Sequence, residues 1–151
     1  MAPGTFALLF ALVMVGQIAG AWLSSHLVMR AGMARLLRAG SLLALASGLA
    51  AALLAWAGAA HPAAVVLPFM LFLFASALII PNATSLALQP FARNAGTAAS
   101  LMGATQFAVG ALVSSALGAL FDGTPRPMAS VAALAGLGAF LVEWRFLRGP
   151  R

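Results

Sequence analysis

Cysteine is absent from this chain of 151 residues, and aspartate and glutamate together supply only two side chains. The lack of cysteine excludes a disulfide framework, a thiolate metal site and a cysteine nucleophile. Two separated carboxylates are too few for the clustered ligands of metal or phosphotransfer chemistry, so we expect neither a metal nor a cofactor. A serine hydrolase needs its histidine beside its serine, but His26 and His61 lie towards opposite sides of the predicted membrane. We therefore expect that the chain is not an enzyme.

Charged residues are also scarce, at 7% of the sequence, whereas 64% is hydrophobic and the mean hydropathy is +1.07. A chain of this composition has too few polar side chains to cover a soluble globule. The formal net charge of +6 comes from arginines spread over short links between apolar runs, so nucleic acid is not an expected partner. The expected partner is a lipid bilayer, whose anionic head groups the arginines contact.

Five apolar runs are each long enough to cross a hydrocarbon core of about 30 Å, which takes about 20 helical residues. They cover about 5–29, 39–60, 65–86, 95–121 and 128–146. Strands of a membrane β-barrel would be about 10 residues long. The links are short, which makes consecutive helices antiparallel neighbours. The sequence therefore predicts one all-α, polytopic membrane bundle of five transmembrane helices, without a soluble domain.

The arginines fall almost entirely on one side of this predicted membrane. Positively charged links stay in the cytoplasm, so we expect the amino terminus outside and the carboxyl terminus in the cytoplasm. An odd number of spans entered from outside is the expected form of the later part of a larger protein. The cytoplasmic arginines are Arg30, Arg35, Arg38, Arg93, Arg145, Arg148 and Arg151, and Arg126 lies on the other side.

Small residues recur every four positions in the first run, at Gly16, Gly20 and Ser24, and likewise in the fourth run. Such spacing lets the backbones of transmembrane helices approach closely. Gln17 in the first run and Gln106 in the fourth lie on these small-residue faces. Each amide should face protein or a cavity, and two roles stay open: a hydrogen bond to another helix or contact with a substrate. The residues expected to pack are Gly16, Gly20, Gly96, Gly103, Gly110, Ser114 and Gly118.

Pro81 stands in the cytoplasmic half of the third run, directly before Asn82. Proline removes a backbone hydrogen bond and tends to kink a helix, and in a membrane the carbonyl that it frees must find another donor. Asn82, Thr84 and Ser85 are near enough to help. The bend expected at Pro81 is either a fixed structural feature or a gate.

The link after the first run, residues 27–37, reads LVMRAGMARLL. It resembles the second copy of a loop motif of the major facilitator superfamily of transporters, which lies between transmembrane helices 8 and 9. Met29 replaces the acidic residue of that motif, so the contact attributed to the acid is not expected here. The matching positions are Leu27, Arg30, Gly32 and Leu37.

A second segment begins at Pro81-Asn82, continues through residues 95–103, which read AGTAASLMG, and ends with Gln106-Phe107 and Gly110. It resembles the passage from helix 10 into helix 11 of the Bcr/CflA drug-resistance branch of that superfamily. Together the two resemblances cover nearly all of the chain, as helices 8 to 12.

The resemblance implies a proton-driven carrier of the bacterial inner membrane that exports hydrophobic drugs or small metabolites through a cavity between two six-helix halves. This chain would be its carboxyl-terminal part, with helices 1 to 7 and the proton-coupling acids elsewhere, so it is not expected to transport alone. Gln17, Asn82 and Gln106 are the expected cavity contacts, and Pro81 the gating bend. A small self-assembling structural or regulatory membrane protein is the alternative. The identity of the substrate is not expected to follow from these residues.

Overall fold

The computed structural model describes residues 3–59 and 61–147 of the chain. Over these residues it is almost entirely α-helical and contains no strand, as the all-α prediction requires. The five helices are α1 (Pro3–Ala31), α2 (Met33–Trp56), α3 (Pro62–Leu88), α4 (Ala95–Ala119) and α5 (Arg126–Leu147), and a 3₁₀ segment, η1 (Gln89–Asn94), joins α3 to α4.

Four helical segments of the described residues are long and apolar enough to cross a membrane. They are Leu8–Ala31, Met33–Trp56, Pro62–Ala119 and Arg126–Arg145. The third has 58 residues, because it takes in α3, η1 and α4. Large apolar side chains cover much of the surface, and Met29 and Phe107 are 89% and 83% exposed. Such a surface suits contact with lipid, and both the helices and the surface are those expected of a membrane protein.

The turn between α1 and α2 is much shorter than the predicted link between Arg30 and Arg38. A single residue, Gly32, separates the two helices and has a φ of +81°. Glycine adopts positive φ at no steric cost, so one residue is enough to end α1. The residues after it are good helix formers, so Arg35 and Arg38 lie in the first two turns of α2 instead of in a loop.

The centre of the bundle is α2, which packs against both α3 and α5. Gly40 lies against Ala75 and Ile79 of α3, and Gly48 lies against Ala132 of α5. Small residues bring the helices close, so van der Waals contacts with backbone and side-chain atoms of the neighbouring helix hold them together. The buried residues of α2 are Leu36, Gly40, Ser41, Ala44, Ser47, Gly48, Ala51 and Ala55.

Two buried serines fit this apolar contact because their hydroxyls bond within their own helix. The Ser41 hydroxyl donates to the carbonyl of Arg38 at 3.0 Å, and the Ser47 hydroxyl donates to the carbonyl of Leu43 at 2.7 Å. A buried hydroxyl without a partner would cost about 1–3 kcal/mol. The back-bonded serines therefore act as small packing residues.

The order of the contacts gives the directions of the helices. Gly16 and Gly20 of α1 meet Met70 and Phe74 of α3 in the same order, so α1 and α3 run parallel. Successive residues of α2 meet earlier residues of α3 and of α5, so α2 is antiparallel to both. Hence α1, α3 and α5 all end where α2 begins. We call this end of the bundle, which carries Arg30, Arg35, Arg38, Arg93 and Arg145, the arginine end.

The fourth helix does not join the packed bundle, contrary to the prediction of one compact unit. Among the residues that the structure describes, α4 contributes none that is buried, and its contacts with α3 and η1 are sparse. A side chain added at any of its four glycines would meet no atom of a neighbouring element within 4 Å. The packing predicted for α4 therefore has no partner among the described residues. It concerns Gly96, Gly103, Gly110, Ser114 and Gly118.

At the end opposite the arginine end, α5 is tied to α2 through polar groups. The guanidinium of Arg126 lies 5.3 Å from the ring centroid of Trp56, whose indole N–H donates to the Ser130 hydroxyl at 3.2 Å. In the preceding loop, the side-chain and backbone donors of Thr124 bond Asp122 and lower the pKa of its carboxyl. These contacts fix the entry of the chain into α5.

Replacing Arg126 by glutamine should lower the free energy of unfolding by about 0.5–1 kcal/mol, the usual size of an exposed cation–π contact. Unfolding in mixed detergent micelles, followed by circular dichroism, measures the change. Arg93→Gln removes the same charge from an exposed position in η1 and should leave stability within about 0.5 kcal/mol. Equal losses in the two variants would contradict a specific role for the Trp56 contact.

Candidate functional site

The contact between α1 and α3 is the part of the fold where predicted site residues come together. It follows Gly16, Gly20 and Ser24, where the backbone of α3 approaches so closely that a side chain on either glycine would collide with it. Residues four apart drift slowly around a helix of 3.6 residues per turn. The contact with α3 therefore shifts gradually around the surface of α1 from Gly16 to Ser24. At Ser24 the residue of α3 in contact is Asn82.

Asn82 is 3% exposed and joins the two helices by a side-chain hydrogen bond. Its Nδ2 donates to the Ser24 hydroxyl at 3.0 Å and to the carbonyl of Leu78 at 2.7 Å. Ser24 is itself only 5% exposed. Both amide hydrogens are thus used, and the oxygen Oδ1 remains available as an acceptor.

A cavity of about 290 Å³ lies beside this hydrogen bond. Every fully enclosed side-chain polar atom of the described residues has a hydrogen-bond partner. The free Oδ1 of Asn82 is therefore not fully enclosed, and Asn82 is one of the residues that line the cavity. The lining residues are Ala21, Ser24, Ser25, Val28, Met33, Pro81, Asn82 and Ser85. The cavity thus offers hydroxyls and one amide oxygen on an otherwise apolar wall, and no carboxylate or guanidinium.

Pro81 borders the same cavity, but α3 is helical on both sides of it. Because proline lacks an N–H, the carbonyl of Ala77 loses its usual helical donor. The side-chain amide of the neighbouring Asn82 donates to the carbonyl of Leu78 and not to that of Ala77. Pro81 thus lies within α3 and beside the cavity. The bend and its gating role stay predictions.

The three amides predicted to line a substrate cavity are not brought together. Asn82 is buried, whereas Gln17 and Gln106 are exposed. Gln17 lies outside the buried contact between α1 and α3, although its spacing from Gly20 and Ser24 predicted that it shares their face. Gln106 lies on α4, which is separate from the bundle. The structure thus links Asn82 to a cavity and leaves the two glutamines on open surfaces.

The residues that match the loop motif surround the turn between α1 and α2. Leu27 and Arg30 are exposed, Gly32 makes the turn, and Leu37 is half-buried. The adjacent Val28 and Met33 form part of the wall of the small cavity. The turn therefore lies beside the Asn82 site. The spacing of the motif residues alone did not indicate this arrangement.

A larger, shallow cavity of about 550 Å³ lies in the corner between the end of α3, η1 and the start of α4. Leu88, Phe91, Leu101 and Met102 form much of its wall, and Asn94 contributes a polar group. This site was not predicted. Its position follows from the non-helical backbone of Phe91, where φ is −106° and ψ is 28°, which turns the chain away from α3.

The groups that could support catalysis are not assembled in the described part of the chain. No three His, Asp or Glu side chains gather there to hold a metal ion. The Ser25 hydroxyl lies 3.2 Å from His26 Nδ1, but it donates to the carbonyl of Trp22 at 2.7 Å. His26 Nδ1 is 2.8 Å from the same carbonyl, so neither group activates the other.

The sequence indicated Asn82 but not its partner. Ser24 was predicted only as a small packing residue, and the cavity hydroxyls of Ser25 and Ser85 were not singled out as site residues. The four-residue repeat that ends at Ser24 was the available signal, because it places a hydroxyl on the packed face. Comparisons with protein-family models, with curated proteins and with solved structures give no match to this chain.

Proposed function

We propose that this chain is the carboxyl-terminal part of a proton-driven efflux transporter related to the Bcr/CflA branch of the major facilitator superfamily. It crosses the bacterial inner membrane five times, with its amino terminus outside and its carboxyl terminus in the cytoplasm. It forms one wall of a substrate cavity, and a further membrane-embedded polypeptide completes the carrier. The substrates are small hydrophobic compounds, which protons drive outward.

The directions of the packed helices support five crossings. Both α3 and α5 are antiparallel to α2, so they run parallel to each other. Between them lie η1 and α4, and this stretch must return along the full length of the bundle. At about 1.5 Å per residue, the 25 residues of α4 extend about 38 Å, which is enough for that return. The 58-residue apolar segment is therefore counted as two crossings that meet near Phe91.

The observation that carries the proposal is the state of α4. This helix is connected to η1 at its amino end and to α5 at its carboxyl end. None of its residues is buried in the described structure. Gln106, at mid-helix, is exposed, and moving an amide into hydrocarbon without a hydrogen bond costs about 4–8 kcal/mol. This face of α4 is thus unsuited to lipid and suited to protein or to a water-filled cavity.

The cavity chemistry agrees with a carrier of uncharged or weakly polar compounds. The Asn82 oxygen and the nearby serine hydroxyls are neutral hydrogen-bonding groups at an apolar wall. Gln17 and Gln106 supply two more neutral amides. In this proposal the exposed helix faces that carry them pack against the completing polypeptide. In this proposal these three residues contact the substrate in turn, and Pro81 lets the inner half of α3 bend.

The test is the accumulation of N-phenyl-1-naphthylamine, a fluorescent, uncharged hydrophobic compound, in the native host. Deleting the gene should raise accumulation, and the wild-type gene should restore efflux. Gln106→Leu should fail to restore it at an equal membrane level, because the substituted side chain offers no hydrogen bond. Gln89→Leu changes an exposed glutamine in η1 and should restore efflux fully. Unchanged accumulation after deletion would refute the proposed function, and full restoration by Gln106→Leu would refute the role of that amide.

The need for a completing polypeptide has a separate test. The purified chain, reconstituted alone in proteoliposomes, should show no transport of N-phenyl-1-naphthylamine under an imposed pH gradient. Transport by the chain alone would contradict the incomplete cavity. Discrete homo-oligomers in the native membrane, together with unchanged efflux after deletion, would instead support a self-assembling structural protein, in which a second copy covers α4.

A further inference from the structure

An exposed line of aromatic and basic side chains runs along α1 towards the arginine end. Trp22, His26 and Arg30 follow one another at intervals of four residues, which places neighbouring Cβ atoms about 5–6 Å apart on one helix face. All three are exposed, and Trp22 is 62% exposed. We call these three residues the α1 strip.

Hydrogen bonds and stacking hold the middle of the α1 strip in one orientation. The rings of Trp22 and His26 have centroids 4.3 Å apart and an interplanar angle of 36°. Nδ1 of His26 is 2.8 Å from the Trp22 carbonyl, and because a carbonyl can only accept, this nitrogen is the donor. Nε2 is then the ring nitrogen left to interact outside α1. As an imidazolium it can donate to an anion.

The charge around the α1 strip is strongly positive. Arg30, Arg35, Arg38, Arg93 and Arg145 are all exposed at the arginine end. The two carboxylates of the chain do not offset them at the surface. Asp122 lies at the opposite end, and Glu143 is only 5% exposed. An anion that approaches this end therefore meets exposed guanidinium groups.

The depth of each group matches the parts of a phospholipid. Arg30 is in the last turn of α1, where the apolar helix ends, and Trp22 lies two turns further in, at a distance of about 12 Å. Tryptophan rings favour the region beneath the head groups, and arginine reaches the phosphates. A free phosphate ion would use Arg30 and His26 but would leave Trp22 without a role.

We propose that the α1 strip binds one anionic phospholipid. Arg30 and the Nε2 side of His26 contact its phosphate, and the stacked Trp22 ring packs on its glycerol and upper acyl groups. The neighbouring arginines select an anionic head group over a zwitterionic one, at about fivefold in affinity for each basic residue near the surface. The proposal rests on membrane insertion and holds whether or not the chain takes part in transport.

Brominated lipids, which quench tryptophan fluorescence on contact, give the test. The chain has three tryptophans, so Trp56→Phe and Trp144→Phe leave Trp22 as the reporter in the full-length protein. Vesicles contain equal amounts of phosphatidylglycerol and phosphatidylcholine, with either one brominated. Brominated phosphatidylglycerol should quench Trp22 more strongly, with a preference of about fivefold or more that weakens as salt is added. Equal quenching by the two lipids would overturn the proposal.

Matched variants separate a site from general attraction. His26→Gln with Arg30→Gln should lower the preference by about fivefold, because one guanidinium near the phosphate is lost, and Arg30→Lys, which keeps the charge, should retain most of it. Arg126→Gln removes a charge from the opposite end and should leave the preference at Trp22 unchanged. Circular dichroism verifies that each variant keeps its helices. A preference that the double substitution leaves unchanged, or that falls equally in Arg126→Gln, would refute binding at the α1 strip.

Discussion

Replacing Gly136 by alanine should lower the free energy of unfolding by about 2–3 kcal/mol, the upper part of the range for overpacking. A Cβ at this position of α5 would lie 2.6 Å from the carbonyl oxygen of Ala44 and 3.0 Å from the Cα of Leu45. Both are backbone atoms of α2, so no side chain can rotate away to make room.

The cost should be large because α2 cannot move without losing other contacts. On its other side Gly40 lies against Ala75 and Ile79 of α3. A shift that relieves the clash at Gly136 would therefore loosen α2 from α3 or separate α5 from Ala44. Alanine is the better helix former by about 1 kcal/mol, so the measured loss is what remains after that gain.

The matched control is Gly138→Ala, two residues further along α5. A Cβ there would meet no atom within 4 Å in the described structure, so only helix propensity should act. We expect stability to be unchanged or to rise by up to about 1 kcal/mol. Unfolding of both variants in mixed detergent micelles, followed by circular dichroism, gives the comparison. Equal effects of the two substitutions would show that close backbone contact at Gly136 does not stabilise the bundle.

Small-residue spacing predicted which helices can approach closely but not which of them do. In α1, Gly16 and Gly20 lie in tight contact with α3. In α4, Gly110 and Gly118 meet no neighbouring atom in the part of the chain that the structure describes. A glycine lowers the cost of close packing for any partner, and the identity of that partner depends on the arrangement of the other helices.

Periodicity likewise predicted only part of the candidate site. Periodicity placed Gln17 on the face of Gly20 and Ser24, yet the crossing of α1 and α3 buries Ser24 and leaves Gln17 exposed. A helical wheel has no information about the angle at which a neighbour crosses. Asn82 was identified because it follows Pro81, but its bond to Ser24 joins residues far apart in sequence, which local patterns cannot pair.

The bounds of the first turn show the limit of using charge to locate a loop. Arg35 and Arg38 were placed in a link because charge is costly within a membrane. The structure instead places them in the first turns of α2, where long side chains can reach the membrane surface while the backbone stays helical. Charge therefore indicates which ends of the helices lie together, at the arginine end, and Gly32 determines where the helix ends.

Breaking the bond between Asn82 and Ser24 should have the second largest effect on stability. Asn82→Ala removes a 97% buried amide and leaves the Ser24 hydroxyl without its donor, for a loss of about 1–3 kcal/mol. Ser24→Ala leaves one hydrogen of the Asn82 amide unpaired and should cost a similar amount. If the two side chains stabilise the contact through their shared bond, the double variant should lose less than the sum of the single losses.

The difference between the double variant and the sum measures the coupling between α1 and α3. Interhelical hydrogen bonds in membranes average about 0.6 kcal/mol and reach about 1.7. We expect the upper part of this range, because both partners are buried. Ser85→Ala, in the same cavity wall but exposed, should change stability by less than about 0.5 kcal/mol and show no coupling to Ser24. Additive losses for Asn82 and Ser24 would mean that each side chain acts by packing alone. The hydrogen bond between them would then not stabilise the contact between α1 and α3 beside the polar cavity.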